Sequence, residues 1–339
     1  MKRKSDNQRI SLSHGSGGKL MHSLIKDLFL KSFNNPLLST LDDAAVLDIA
    51  GKKIAFTTDT YVVKPLFFSG GDIGKLAVCG TVNDLAVMGA KPLWISCGFV
   101  IEEGFDYNLL SKIVDSMRQV VLDTGIEIVT GDTKVVEKNK CDGLFINTSG
   151  IGIIEDKALS LRNIEIGDVV IINGGIGEHG IAVLAARAEL GIESKIESDC
   201  APLTELILDI FKISHRIKFM RDPTRGGLAA TLNEIVEGND FGIMVDEGKI
   251  PIKDGVRGAC ELLGFDPLYI ANEGKVVVIT APEDAVRIVE KMRCHSLGKE
   301  SAIIGEVITE NKGRVCMKTQ AGGIRVVDMP TGEQLPRIC

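Results

Sequence analysis

Residues 74–88 are rich in Ala, Val and Leu, and near the end of that stretch stands the pair Asn83-Asp84. The stretch predicts a helix that stops at Gly89, with Pro92 just beyond. A lone carboxylate buried in such a helix is costly. The chain must therefore fold so that this helix is packed and Asp84 has something polar to face. With 339 residues, 45% of them apolar, there is enough material for two domains with real cores.

Further elements read directly from the pattern. A helix is predicted over 20–32, strands over 44–49 and 54–58 around a turn at 51–53, and a strand over 93–100. An amphipathic helix over 107–124 is closed by Gly125, and strands follow at 126–130 and 144–154. A polar connection near 156–167 marks a boundary. Beyond it come a strand at 168–173, helices at 179–189, 202–214 and 227–239, and strands at 242–245, 275–280, 301–307 and 314–317. The expected division is residues 1–158, 159–327 and a free tail at 328–339, in an α+β class with mixed rather than strictly alternating order.

The net charge of −7 argues against a general nucleic-acid binder and against an anionic membrane surface. No run of eighteen apolar residues is present, and the basic start at residues 1–8 is not followed by an apolar signal segment. The eight cysteines are scattered without a C-x-x-C pair, which speaks against a zinc or iron–sulfur site and for a reducing, cytoplasmic setting.

Chemistry-bearing residues cluster in a few short segments. Aspartates occur in Asp42-Asp43-Ala44-Ala45, Thr57-Thr58-Asp59, Asn83-Asp84, Gly131-Asp132-Thr133-Lys134 and Asp222-Pro223-Thr224-Arg225. Hard oxygen ligands of this kind suit Mg²⁺, and a triphosphate needs such an ion. Any one of them alone is an ordinary turn or cap residue. Glycine-rich segments at 14–19 and 70–75 each precede a predicted helix, whose N-terminal N–H groups suit phosphate, yet neither has the Walker A spacing. The last residue, Cys339, follows a segment containing Pro330, Gly332 and Pro336, which oppose a long helix. About seventeen extended residues reach on the order of 55 Å, far enough to carry a thiol to another site.

Taken in order, these motifs resemble the PurM/selenophosphate-synthetase superfamily over nearly the whole chain. Within it they resemble the HypE family of hydrogenase-maturation carbamoyl dehydratases, on the strength of residues 14–19, Asn272-Glu273-Gly274 and Pro336-Arg337-Ile338-Cys339. The resemblance implies a PurM-like two-domain fold whose N-terminal strands form a dimer β-barrel, with an α/β domain packed outside. It implies ATP and Mg²⁺ as cofactors, with Asp43, Asp59, Asp84 and Asp222 on the metal and Asp42 in reserve. Lys75, Asn83, Gly131, Asp132 and Thr133, together with Asp43, Asp59 and Asp84, are the implied nucleotide contacts. Cys339 is implied as the carrier of an S-carbamoyl group, with Glu273 and Lys134 around its nitrogen as candidate proton acceptors. Implied partners are a second copy of the chain, a HypF-type carbamoyltransferase and a HypC–HypD complex. The residues themselves leave other readings open: a selenophosphate synthetase, although residues 14–19 hold no cysteine, a thiamine-monophosphate kinase, or a carrier that only presents a modified thiol.

Overall fold

The computed structural model describes residues 9–33, 35–155, 159–187, 195–332, 335 and 337–339. Expectations that fall on residues 1–8, on the domain edge at 156–158, on the helix end at 188–189 and on Pro336 lie outside the described residues.

The first domain begins with a helical segment made of α1 (Lys19–Leu24), a π turn at Ile25–Phe29 and α2 (Leu30–Phe33). The single helix expected over 20–32 is therefore interrupted. Five strands follow with a hairpin between them: β1 (Ala45–Ile49), β2 (Lys52–Tyr61), the short β3 (Phe67–Phe68) and β4 (Gly71–Asp72), β5 (Ala90–Glu102), β6 (Glu127–Val136) and β7 (Leu144–Ile154). Apart from the β3–β4 hairpin they form one sheet in the order β1-β2-β7-β5-β6, with β5 and β6 parallel and every other pair antiparallel.

Helix α3 (Ile73–Val87) lies on this sheet against β2, β7 and β5, with α4 (Tyr107–Thr124) outside it. Asp72 caps α3 by accepting from the N–H groups of Gly74 (2.7 Å) and Lys75 (3.1 Å), and Asp106 caps α4 in the same way. Almost every residue of α3 is buried, which explains its apolar composition on all sides. Among the described residues nothing covers the opposite face of the sheet. It carries Phe56, Ile151 and Trp94 side by side in register, all exposed.

The second domain is built on a seven-stranded sheet. Its elements are β8 (Val169–Ile172), α5 (Glu178–Ala185), α6 (Thr204–Phe211), β9 (Ile217–Arg221), α7 (Gly227–Val236), β10 (Gly242–Asp246), α8 (Asp254–Leu263), β11 (Val277–Thr280), α9 (Pro282–Arg293), β12 (Ala302–Ile308), β13 (Val315–Lys318) and β14 (Ile324–Val327), with sheet order β14-β13-β10-β12-β8-β11-β9. Alternate residues of β8 serve two cores: Val170 and Ile172 pack with Leu228, Leu232 and Ile235 of α7, while Ile171 packs with Leu206, Ile288 and Met292 of α6 and α9. Burial on both faces makes these strands read as continuous apolar runs.

Candidate functional site

The site lies on the seam between the domains. Helix α3 brings Asn83 and Asp84 there, β2 brings Thr57 and Asp59, and the turn before β1 brings Asp43. The second domain contributes Arg221 and Asp222 at the end of β9, and Glu273 just before β11. Asp84 Oδ2 lies 2.8 Å from the Thr57 hydroxyl, which is also 2.9 Å from the Asp43 carbonyl oxygen. Asp59 accepts from the Tyr61 hydroxyl at 3.1 Å. Arg221 crosses the seam. Its Nε donates to Asp43 Oδ1 (2.9 Å), Nη1 to Glu234 (3.0 Å) and Nη2 to the Leu41 carbonyl (2.8 Å).

The electrostatics follow from burying like charges together. Burial pushes the Asp43 carboxyl up to about 6 against the pull of Arg221. Burial, with Asp59, Asp222 and Asp43 as neighbours, holds Asp84 well above the usual carboxylate range. Asp222 is raised for the same reasons. Glu273 is buried, and burial raises it well above its ordinary value, with Cys200, Asp222 and Asp199 adding to the effect. Asp43 Oδ2 and Glu273 Oε1 are buried with no hydrogen-bond partner among the described residues. An all-carboxylate donor set with unpartnered oxygens fits a hard cation. Among the described residues no group of three acidic, His or Cys side chains encloses a metal by itself. Mg²⁺ ordinarily takes one or two carboxylates and completes its shell with phosphate oxygens and water, so the donor set fits Mg²⁺ bound with a nucleotide.

Asn83, expected to touch nucleotide, spends its amide otherwise. Its Nδ2 donates to the carbonyls of Ala201 (3.1 Å) and Glu273 (3.2 Å), and its Oδ1 accepts from Leu203 N–H (2.8 Å). It is a bridge between the domains. Lys75 sits in the first turn of α3 with its ammonium on the Gly70 carbonyl at 2.8 Å.

The tail, expected to be free, is docked in this structure. Val62 N–H donates to the Cys339 oxygen (3.3 Å) and Lys64 N–H to the Arg337 oxygen (3.1 Å), an antiparallel pairing on the continuation of β2. Arg337 returns a bond from Nε to the Val62 carbonyl (2.9 Å), pairs with Asp142 and lies over the Phe145 ring. Ile338 is buried in the core of the first domain. The Cys339 thiol is thereby brought within electrostatic reach of Arg225, Glu273, Asp59 and Asp222. Burial pushes it up to about 12, with Arg225 pulling the other way. A cavity of about 220 Å³ opens on it, bounded by Val62, Arg225, Gly226, Ala271 and Leu335.

The remaining expected residues lie elsewhere. Gly131, Asp132, Thr133 and Lys134 belong to β6, not to a loop, and are exposed along their length. Lys134 pairs with Asp132 at 2.7 Å. Gly131 is aligned with Cys97, Thr148 and Asp59 across the sheet, three strand spacings or about 14 Å from the acidic cluster. A Cβ at Gly131 would sit 2.2 Å from the Cys97 carbonyl oxygen, so close strand packing explains this glycine without a phosphate. Within one chain, then, the structure gathers Cys339, Glu273, Asp43, Asp59, Asp84 and Asp222, and leaves Lys134 and its neighbours apart.

Sequence reasoning missed the residues that hold Glu273. Buried Asp199 accepts from Glu273 N–H (3.1 Å) and Gly274 N–H (3.2 Å) and pairs with Lys275 at 3.0 Å. Burial opposes the Asp199 charge, yet Lys275 keeps its pKa below the ordinary value. Gly274 is required because a Cβ there would lie 1.9 Å from the Asp199 carbonyl oxygen. The only hint in the sequence was that glycine.

Residues 41–154 match the N-terminal domain of AIR synthase related proteins, and residues 165–318 match the C-terminal domain of the same group. Fold and site thus define a two-domain protein of the PurM-like, AIR synthase related class. The chain is 50% identical over 332 residues to carbamoyl dehydratase HypE of Bradyrhizobium diazoefficiens, spanning 97% of this chain and 96% of the relative. It is 46% identical over 336 residues to that of Escherichia coli K12, spanning 97% and 99%. This chain belongs to the carbamoyl dehydratase HypE family. Its structure resembles that of a HypE–HypF complex (48% identity, TM-score 0.86, 91% of this chain and 100% of that one) and that of a HypE in complex with ATP (45%, 0.82, 96% and 98%). A thiamine monophosphate kinase of Aquifex aeolicus, 17% identical with a TM-score of 0.64 over 89% and 98%, shares the fold alone.

Proposed function

We propose that this chain uses ATP to dehydrate an S-carbamoyl group on its own Cys339 to a thiocyanate, the source of the cyanide ligand on the iron of a NiFe hydrogenase. The observation that carries the reading is the docked tail, which brings the thiol within electrostatic reach of Glu273 and the acidic cluster at the seam. The amide oxygen of the carbamoyl group is a poor leaving group. Transfer of the γ-phosphoryl group to that oxygen releases ADP. The oxygen then departs as phosphate while two protons leave the nitrogen, and the carbon–nitrogen triple bond remains on sulfur. Asp43, Asp59, Asp84 and Asp222 would hold Mg²⁺, whose chemistry there is to neutralise the phosphates. Glu273, raised and buried, is suited to accept a proton from the nitrogen. Positioning on a rigid seam supplies much of the remainder.

A thiol at about 12 is a weak nucleophile, so the carbamoyl group is accepted with the tail undocked. This supports a mobile tail and a HypF-type carbamoyl donor, in keeping with the HypE–HypF complex of a relative. A HypC–HypD acceptor completes the reading by resemblance. The chain acts as a homodimer through the uncovered sheet face of Phe56, Ile151 and Trp94. A second copy seated there is the route by which Lys134 and residues 131–133 join an acidic cluster. All eight cysteines are free thiols, which fits a cytoplasmic setting. No helix among the described residues is long and apolar enough to cross a membrane. Mass spectrometry of the Cys339 peptide tests the reading: after carbamoylation, ATP should cause loss of one water, and an unchanged S-carbamoyl peptide would overturn it.

A further inference from the structure

The antiparallel pairing of the tail with the end of β2 uses the carbonyls of Arg337 and Cys339. Alternate carbonyls of an extended chain point opposite ways, so the Ile338 carbonyl faces away from Val62 and Lys64, where no strand among the described residues stands to receive it. His179 of α5 takes that place. Its Nε2 lies 2.9 Å from the Ile338 oxygen, and its Nδ1 lies 2.8 Å from the Ser198 hydroxyl. The ring is fully buried and is held edge-on by Phe68 at 5.3 Å between centroids. The carbonyl can only accept, so Nε2 carries the hydrogen. Burial favours the neutral ring, so Nδ1 accepts from Ser198. The Ser198 oxygen also receives Cys200 N–H at 3.1 Å, which fixes the hydroxyl. The next residue, Asp199, holds the backbone of Glu273 and Gly274.

We propose that His179 is a positioning residue that seats the tail, and that the segment 198–200 sets this seat and the Glu273 carboxylate from one short piece of chain. Ser198 orients the ring that grips Ile338, one residue before the thiol. Asp199 holds the backbone that carries Glu273. The proposal deepens the dehydratase reading and rests on it for the catalytic consequence, while the seat itself stands on the geometry.

The test uses potassium cyanate, which adds to a thiol as cyanic acid to give the S-carbamoyl group with no atom lost. The rate of addition at Cys339, read by peptide mass spectrometry, reports how often the tail is undocked. Loss of water from the carbamoylated chain on adding ATP reports productive docking. His179→Phe keeps the ring and removes the donor. Cyanate addition should rise about 3–10-fold and water loss should fall by a similar factor, as expected for one buried hydrogen bond. His179→Gln, which keeps a donor near Nε2, should restore much of both. Ser198→Ala should move both the same way by about twofold and serves as the second variant if His179→Phe does not fold. A general packing defect would not speed one step and slow the other. Unchanged cyanate addition in both variants would overturn the proposal, as would addition and water loss falling together. If the wild-type chain lost no water at all, the dehydratase reading would fail, and the cyanate rates would still judge the seat.

Discussion

Two acidic motifs of similar composition meet opposite fates in this fold. Asp84 and Asp59 are carried to the domain seam and crowded with other carboxylates, and burial raises Asp84. Asp132, on the open strand β6, is fully exposed, and its hydrogen bond from Lys134 holds it below the ordinary value. The first group meets Glu273 and the tail within one chain, while the second presents itself to whatever covers the sheet. Residue type announces oxygen ligands in both places. Only the packing around them decides which are poised for chemistry and which await another body.

The sharpest break would come from Cys339→Ala. It should keep the fold and ATP affinity and abolish thiocyanate; any thiocyanate on that variant would remove the tail from the site. Glu273→Gln should leave ATP binding near normal and slow water loss by about 10²–10⁴-fold, measured on the Cys339 peptide. Wild-type conversion would shift the proton acceptor to Lys134 or water and erase the contrast between the regions. Asp84→Asn should weaken Mg²⁺-dependent ATP binding by about tenfold, the scale of one charge-assisted contact, while Asp132→Asn should weaken it less. Calorimetry with both variants compares the two motifs directly.

Mixing Glu273→Gln with Lys134→Ala, each nearly inactive alone, asks whether the regions belong to one chain or two. If a site combines Glu273 of one copy with Lys134 of another, equal mixing should restore about a quarter of wild-type turnover, since half the dimers are mixed and each has one intact site. No recovery after subunit exchange would place both residues in the same chain. The smallest effect concerns the tail. A thiol raised to about 12 when docked, and ordinary when free, favours docking fully below the ordinary thiol pKa and loses that contribution as pH rises toward 12. Labelling of Cys339 should therefore keep climbing about tenfold per pH unit above about 8.5, where a free thiol levels off. A plateau there would mean that docking is indifferent to the proton.

Much of the frame was legible because the signals were local. The predicted helix over 107–124 coincides with α4, since an Asp cap, an apolar stripe and a terminal glycine agree there. The predicted strand over 144–154 coincides with β7, and the helix over 74–88 is α3 shifted by one residue. Where long-range packing decided, the reading fell short. The strand expected over 126–130 runs on to Val136, because pairing with β5 carries the glycine of Gly131-Asp132-Thr133-Lys134 through a ladder. Strand β9 went unread, although its last residue is Arg221, the cation that crosses the seam to Asp43. Helices α8 and α9 and strand β14 were also missed. His179, Ser198 and Asp199 had no motif to mark them. Their roles exist only once the tail and the loop before β11 are brought alongside.

Asn83 bears on how such a protein can be recombined. Its side chain gives all it has to the backbone of two loops in the other domain, at Ala201–Leu203 and at Glu273. A chimera that exchanged whole domains between relatives would keep each core intact and still mismatch this handshake. The inherited module is the seam itself: Asn83 with the two loops it grips. Those pieces have to travel together, even though 190 residues of sequence separate the helix from the farther loop.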